Sequence, residues 1–264
     1  MLMDIEFLKK IGRKIYREIH STTLQFRRTS LGKGASGDIT FAIDKIAEDI
    51  IIESFEKEGF NLNIIAEEKG IKINQDSGFT LIIDPIDGSK NAVSGVPFFS
   101  TSIAIADGNT LESLKIGYII NLINEDEFYA QRSRGAFFNG QRIKSQNNEK
   151  PVIIAFEASN PYMALKNILP LFKIATRVRC YGSTSLDLAY LSMGGISIFV
   201  TPTPSRIFDF SAGILIAKES DAVVTDINGK KIDALLVNFD TKTTLLVCGN
   251  EKLQKSALEA LKKA

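Results

Sequence analysis

Residues 81–91, Leu-Ile-Ile-Asp-Pro-Ile-Asp-Gly-Ser-Lys-Asn, end an apolar run in two carboxylates three positions apart, with a proline, a glycine and a hydroxyl among them. Hard oxygen ligands beside a permissive backbone are what a divalent cation and a phosphate group require. A strand ending at Asp84 delivers its carboxylate to the rim of a sheet, while Pro85 stops regular pairing and turns the chain so that Asp87 faces the same point. Gly88 permits close backbone approach, so the amides of Gly88 and Ser89 can meet a phosphate oxygen, most directly if a helix starts there. An ordinary Asp-Pro or Asp-Gly turn explains either dipeptide alone. It explains the whole run less well than a site does.

Partners for such a site lie elsewhere in the chain. Leu62 to Ala66 is a short apolar run leading into Glu67-Glu68, which again places carboxylates at the end of an expected strand. Adjacent acids also fit a solvated loop pair. Ile207-Phe208-Asp209-Phe210-Ser211-Ala212-Gly213 puts an acid at the start of an apolar segment that reads as a helix, where Asp is favoured whatever its role.

The order Glu67-Glu68, then Asp84-Pro85-Ile86-Asp87-Gly88-Ser89-Lys90-Asn91, then Asp209 with Ala212-Gly213, resembles the inositol monophosphatase superfamily of Mg²⁺-dependent, lithium-sensitive phosphatases. Asp38-Ile39-Thr40 followed by Asp44 is similar to its early Asp segment, and Gly182-Ser183-Thr184-Ser185-Leu186-Asp187-Leu188-Ala189 to its substrate loop and helix. The motifs run from about Lys33 to Gly213, nearly the whole chain, and the central motif with both outlying acids is specific.

The resemblance implies a ligand set. Glu67, Asp84 and the carbonyl of Ile86 would hold one metal, and Asp84, Asp87 and Asp209 a second. A third Mg²⁺ would associate through Glu67 and waters, and Mn²⁺ would substitute. Ser89 with Asp44 matches the family's Thr–Asp pair that positions and deprotonates water; Ser keeps the hydroxyl and loses the methyl that fixes its rotamer. Glu68 would orient a metal-bound water. Asp87, Gly88, Ser89, Gly182, Ser183 and Thr184 would line the substrate. The implied fold is the mixed α/β sandwich of the sugar phosphatases, layered α-β-α-β-α, with the site between two packed halves.

This chemistry suits phosphate monoesters, whose hydrolysis needs a better nucleophile and a stabilised leaving oxygen. Two Mg²⁺ ions about 3.5–4 Å apart address both ends. The chain offers oxygen ligands and no histidine or cysteine cluster, which favours Mg²⁺ over zinc.

Inositol-selective members carry a Glu about seven residues before the last Asp, where an ungapped count here finds Pro202. Arg206 stands three residues before Asp209, and its guanidinium suits a second phosphate as well as an ordinary salt bridge. This departure resembles archaeal members that hydrolyse both inositol monophosphate and fructose 1,6-bisphosphate. A 3′-phosphoadenosine 5′-phosphate phosphatase shares the metal core but needs an adenine pocket, which is not identifiable. A non-catalytic sugar-phosphate-binding regulator would be expected to have lost a ligand, and none is lost.

The elements that must position these residues are legible in part. Leu8, Ile11, Ile15, Ile19 and Thr22 give a first amphipathic helix, and Ile43, Ile46, Ala47, Ile50 and Ile51 a second over about 41–58. Strands are expected at 80–84, 98–106, 114–121 and 126–131, the last three as an antiparallel meander. The second half alternates: strand 151–156, helix 162–173, strand 176–181, helix 185–193, strand 196–200, helix 209–219, strand 222–227, and a terminal pair at 243–248 and 250–262. Residues 144–150 are the expected join, making one domain of halves near 1–147 and 148–264.

Composition bounds the rest. At 264 residues with net charge +1 and interspersed charges, the chain can bury a large core and lacks the basic patch of a nucleic-acid binder. Cys180 and Cys248 sit in apolar sequence and read as reduced core thiols, a disulfide standing open for a hyperthermophilic source. Early acids speak against a signal peptide and no apolar run is long enough to span a bilayer, so a cytoplasmic protein is expected; a homodimer is the family expectation. Leu31 to Gly37 fits a kinase glycine-rich loop, and Phe208-Asp209-Phe210 approaches Asp-Phe-Gly, but the sole histidine, His20, leaves no catalytic loop. Asp38 follows Gly37 where a P-loop needs Lys. The loop reads instead as a mobile segment near the metals, with Lys33 screening phosphate charge. His20 is expected to be structural, and Asn228-Gly229 to be a turn rather than a calcium loop.

Overall fold

The computed structural model describes residues 4–158 and 161–262. Helix α1 (Ile5–Ser21) follows the apolar spacing: Leu8, Ile11, Ile15 and Ile19 are buried, and Asp4 caps the start by accepting from the Phe7 amide. A single helical turn, α2 (Leu24–Arg27), leads into a hairpin of β1 (Ser30–Lys33) and β2 (Ile39–Phe41) and then α3 (Ala42–Lys57). The inner face of α3 carries Ile43, Ala47, Ile50 and Ile51 as expected, together with two buried acids, Asp44 and Glu48.

Next come β3 (Asn63–Ala66), β4 (Gly70–Lys72), β5 (Thr80–Asp87), a short helix α4 (Ser89–Ser94), β6 (Ser100–Ala106), β7 (Leu114–Asn121), β8 (Glu127–Gln131), β9 (Gly135–Phe138) and β10 (Gln141–Ile143). The strands form one sheet in the order β10-β9-β8-β7-β6-β5-β3-β4. Only β3 and β5 pair in parallel. The expected meander is present and continues through β9 and β10, whose few residues are too short to display alternation.

The remaining elements are β11 (Ile153–Phe156), α5 (Pro161–Phe172), β12 (Arg177–Arg179), α6 (Thr184–Ser192), β13 (Ile198–Arg206), α7 (Ile207–Glu219), β14 (Val223–Thr225), β15 (Lys242–Cys248) and α8 (Glu251–Leu261). Their sheet runs β12-β11-β13-β15-β14. β13 passes well beyond residue 200, where the sequence pattern ends it. Its register against β15 breaks between Thr201 and Ser205, and that irregularity accommodates Pro202 and Pro204, which lack an amide hydrogen.

The layers stack α-β-α-β-α. α1 and α3 cover one face of the large sheet, α6 and α7 fill the space between the sheets, and α5 and α8 cover the outer face of the small sheet. Because α7 meets a sheet on either side, it has no polar stripe: Phe208, Phe210, Ala212, Ile214 and Ile216 are all buried. On β7, a Cβ at Gly117 would lie 2.8 Å from the Ala212 carbonyl oxygen, so glycine is what lets α7 approach this closely. Residues 144–152 pass from one sheet to the other, and the central core draws on both, with Ile65 and Phe128 beside Phe199 and Val247.

Some smaller expectations need correction. Cys248 is a buried core thiol, but Cys180 is exposed, because β12 ends at Arg179 and the chain turns outward; both cysteines are free. His20 bonds the Leu122 carbonyl at 3.0 Å through its ring nitrogen and lies against Tyr16, a structural role. Asn228-Gly229 is a turn closed on Asp226, which accepts from the amides of Asn228 and Lys230. Among the described residues no helix is long and apolar enough to cross a membrane.

Candidate active site

Glu67 and Asp84 leave the same edge of the large sheet because β3 and β5 run in parallel, Ala66 opposite Ile83, with the Glu67 amide donating to the Ile83 carbonyl at 3.2 Å. β5 does not stop at Asp84, as the sequence suggested. It continues with one extra residue, Asp84 pairing with Ser102 and Asp87 with Ser100. In an unbroken strand residues three apart face opposite ways; the bulge returns Asp87 to the side of Asp84. Pro85 sits inside it, and its carbonyl accepts from the Thr101 hydroxyl at 2.7 Å.

Gly88 then takes a left-handed φ of 92° to start α4. A Cβ there would stand 2.9 Å from the Gly182 carbonyl oxygen, so this glycine is required both by its backbone angle and by contact with the loop before α6. The Ser89 hydroxyl is within bonding distance of Asp44 Oδ1 at 3.0 Å and of the Ile86 carbonyl at 2.7 Å. Asp44 Oδ2 accepts from the Phe41 amide at the start of α3. Burial, with Glu68 adding repulsion, pushes the Asp44 carboxyl up to about 7.

Asp87 Oδ2 accepts from the Ser183 hydroxyl at 2.7 Å and the Ser185 amide at 2.5 Å. Ser183 caps α6, so the helix start and the ligand share one anchor. Thr184 is buried behind it. Asp209 lies in the first turn of α7 and accepts from the Arg206 amide at 2.8 Å. Glu68 accepts from the Thr40 hydroxyl, and its own amide donates to Glu48 Oε2 at 3.0 Å.

The residues proposed from sequence therefore meet at one sheet edge: Asp44, Glu67, Glu68, Asp84, Ile86, Asp87, Gly88, Ser89, Gly182, Ser183, Thr184, Arg206 and Asp209. Lys33 does not join them through an ion pair among the described residues; β1 is exposed throughout. Nor is the glycine-rich segment untethered, since the Ala35 and Ser36 amides donate to the carbonyls of Glu68 and Glu67 at 2.9 and 3.1 Å. Sequence reading missed Glu48, which holds the turn bearing Glu67-Glu68 from α3. Its position one helical turn after Asp44 was the available signal.

Arg206 is the unexpected occupant. Its guanidinium pairs with Glu67 at 2.8 Å, Asp209 at 3.1 Å and Asp38 at 2.7 Å, and lies 4.7 Å from the Phe208 ring. With the side chains so arranged, no three His, Cys, Asp or Glu among the described residues form a cluster that could hold a metal. The donors still fit one. Among the described residues Asp84 Oδ1 is buried without a hydrogen-bond partner, and an oxygen-only set of carboxylates with a nearby carbonyl suits Mg²⁺. Burial first, and then repulsion from neighbouring acids, which for Asp209 is Asp38, raises the Glu67, Asp84 and Asp209 carboxyls above their ordinary range, and Asp87 to about 7. Arg206 offsets part of this for Glu67, Asp84 and Asp209. A bound cation would offset more.

Comparison with known proteins agrees. Residues 2–264 match the model of the inositol monophosphatase family. A Thermococcus kodakarensis protein named fructose-1,6-bisphosphatase/inositol-1-monophosphatase is 33% identical over 234 residues, 88% of this chain and 87% of that one. An inositol-1-monophosphatase of Mesorhizobium japonicum is 30% identical over 266 residues, covering 98% and 94%. The solved structure of a Thermotoga maritima IMPase aligns with a TM-score of 0.83 at 28% identity, covering 98% of this chain and 96% of that one. A chain matched from residue 2 to residue 264, which gathers acids from α3, β5, α7 and the turn after β3 at one edge, belongs to the inositol monophosphatase family.

Proposed function

We propose that this protein is a Mg²⁺-dependent phosphate monoester hydrolase with dual specificity for inositol monophosphate and fructose 1,6-bisphosphate. The observation that carries the reading is the partnerless, buried Asp84 Oδ1 among Glu67, Asp87 and Asp209. Glu67, Asp84 and the Ile86 carbonyl would hold one ion and Asp84, Asp87 and Asp209 a second, with a third reached through Glu67 and Mn²⁺ an acceptable substitute. Bound Mg²⁺ supplies a lowered water pKa and neutralises charge on the leaving oxygen.

The chain's own groups do the rest. The Ser89 hydroxyl takes a proton from the attacking water and passes its own to Asp44, whose raised affinity for a proton suits that role. Glu68 orients the water. The amides of Gly88 and Ser89 and the loop Gly182-Ser183-Thr184 receive the phosphate, and Arg206 clamps the second phosphate of a bisphosphate. A cytoplasmic homodimer belongs to the same proposal, supported by the family, and light scattering tests the subunit number. Phosphate release with Mg²⁺ from inositol 1-phosphate, fructose 1,6-bisphosphate and 3′-phosphoadenosine 5′-phosphate tests the activity. Exclusive turnover of the nucleotide, or none at all, would overturn it.

A further inference from the structure

Arg206 engages both oxygens of Asp209: Oδ2 through the backbone amide at 2.8 Å and Oδ1 through Nη2 at 3.1 Å. The same Nη2 reaches Glu67 Oε1 at 2.8 Å. One nitrogen of a guanidinium thus bridges two acids from different halves of the chain, Glu67 just after β3 and Asp209 in the first turn of α7, which the proposed site assigns to two neighbouring cations. Nη1 holds Asp38, in the turn of the β1–β2 hairpin just before β2. The tip of that hairpin is tied to the backbone of Glu67 and Glu68.

We infer that Arg206 is a built-in counter-ion of the metal-free enzyme, a guanidinium latch across Glu67 and Asp209 that Mg²⁺ must displace to load. The inference rests on the proposed metal site and adds to it a competitor encoded in the chain. Three acids share this single guanidinium, and at least two of them are needed as ligands. An oxygen that accepts a short charge-assisted bond is a poorer ligand until that bond is released. The guanidinium already has a second resting place, since it lies over the Phe208 ring with Asp38 on its outer side. When Nη2 lets go of Glu67 and Asp209, the cation stays beside Asp38 at the mouth of the site, available to an anionic substrate. The order of events is therefore metal first, then phosphate on the freed Arg206.

The test needs no substrate. Titration of Mg²⁺ alone into the protein by calorimetry, with thermal unfolding in EDTA and in Mg²⁺, is compared for the wild type, Arg206→Ala, Arg206→Gln and Asp84→Asn. Both Arg206 variants should bind Mg²⁺ more tightly, by roughly 10-fold or more, the worth of one charge-assisted bond. They should also unfold at lower temperature than the wild type in EDTA, and gain more from added Mg²⁺. Asp84→Asn should lose Mg²⁺ binding, which reads out the metal site independently of the latch. Unchanged or weakened Mg²⁺ affinity in folded Arg206→Gln, with wild-type binding lost in Asp84→Asn, would overturn the latch and keep the metal site. If neither the wild type nor the Arg206 variants bind Mg²⁺, both readings fall.

Discussion

Glu127 on β8 and Asp84 on β5 are carboxylates buried in the same eight-stranded sheet, and their surroundings differ in kind. Glu127 accepts two bonds from Arg13, at 3.2 and 2.9 Å, and one from the Tyr118 hydroxyl at 3.0 Å. Among the described residues Asp84 Oδ1 accepts none, and the acids Glu67, Asp87 and Asp209 around it outweigh the opposite charge of Arg206. The first site is complete once the chain has folded. The second sets like charges together at a cost in stability, one that the cation of the proposed function would offset.

Replacing Asp84 should break the contrast most sharply. Asp84→Asn keeps the shape and removes the charge, so turnover should fall by at least about 10³-fold, since metal assistance is worth several kcal/mol. The same variant should melt higher than the wild type in EDTA, because a repulsive carboxylate is gone. Phosphate release and differential scanning fluorimetry measure the two effects; near-native turnover at saturating Mg²⁺ would remove Asp84 from the mechanism. Next, Ser89→Ala should lower kcat by roughly 10²-fold while Ser89→Thr stays close to wild type. Equal kcat for Ala and Ser would exclude the hydroxyl.

Arg206→Ala at saturating Mg²⁺ sharpens the comparison on the substrate side. Loss of a charge-assisted phosphate contact should cost about 10- to 150-fold in kcat/KM for fructose 1,6-bisphosphate and far less for inositol 1-phosphate. Parallel losses on both esters would sink the clamp. At the completed site, Glu127→Gln should cost about 1–3 kcal/mol and lower Tm by several degrees with little change in kcat. An unaltered melting curve would mean that the Arg13 pair, half-exposed on the arginine side, contributes nothing measurable.

The smallest effect concerns pH. Burial raises Asp44 from 3.8 and Glu48 from 4.5, each to about 7. Both hold a proton more tightly folded than unfolded, so their stabilising share is fully present below about 4 and is lost as pH rises through about 7. In EDTA the melting temperature should therefore decline between pH 5 and 8, and Glu48→Gln should flatten the decline. A Tm that climbs over that interval would reverse the sign of the argument.

What the sequence displayed follows from this contrast. Asp84, Asp87, Gly88 and Ser89 lie within one short run, so the centre of the candidate site is readable without a structure, although the bulge that turns Asp87 back reads in sequence as the end of the strand. The Glu127–Arg13–Tyr118 group is not, because its members are separated by as many as 114 positions and obey no local period. Arg206 is intermediate. Its type and its distance from Asp209 suggested a phosphate clamp, but its bond to Glu67 depends on β13 running on past two prolines, which residue patterns treat as an end. Glu48 was hidden in plain helical register, on a face that amphipathicity alone assigns to apolar residues.

Glu67 follows the end of β3 and Asp84 lies beside it within β5, so the interval between their backbones is set by the sheet's own spacing, about 4.8 Å between strands. A sheet cannot be stretched, and insertions in the surrounding loops leave that interval as it was. The molecule in this respect contains a fixed ruler with exchangeable jaws. Under the proposed function, loops that select a substrate can change around this pair while the spacing of Glu67 and Asp84 is inherited from strand pairing, provided Ser183 and Arg206, which hold Asp87 and Asp209, are kept.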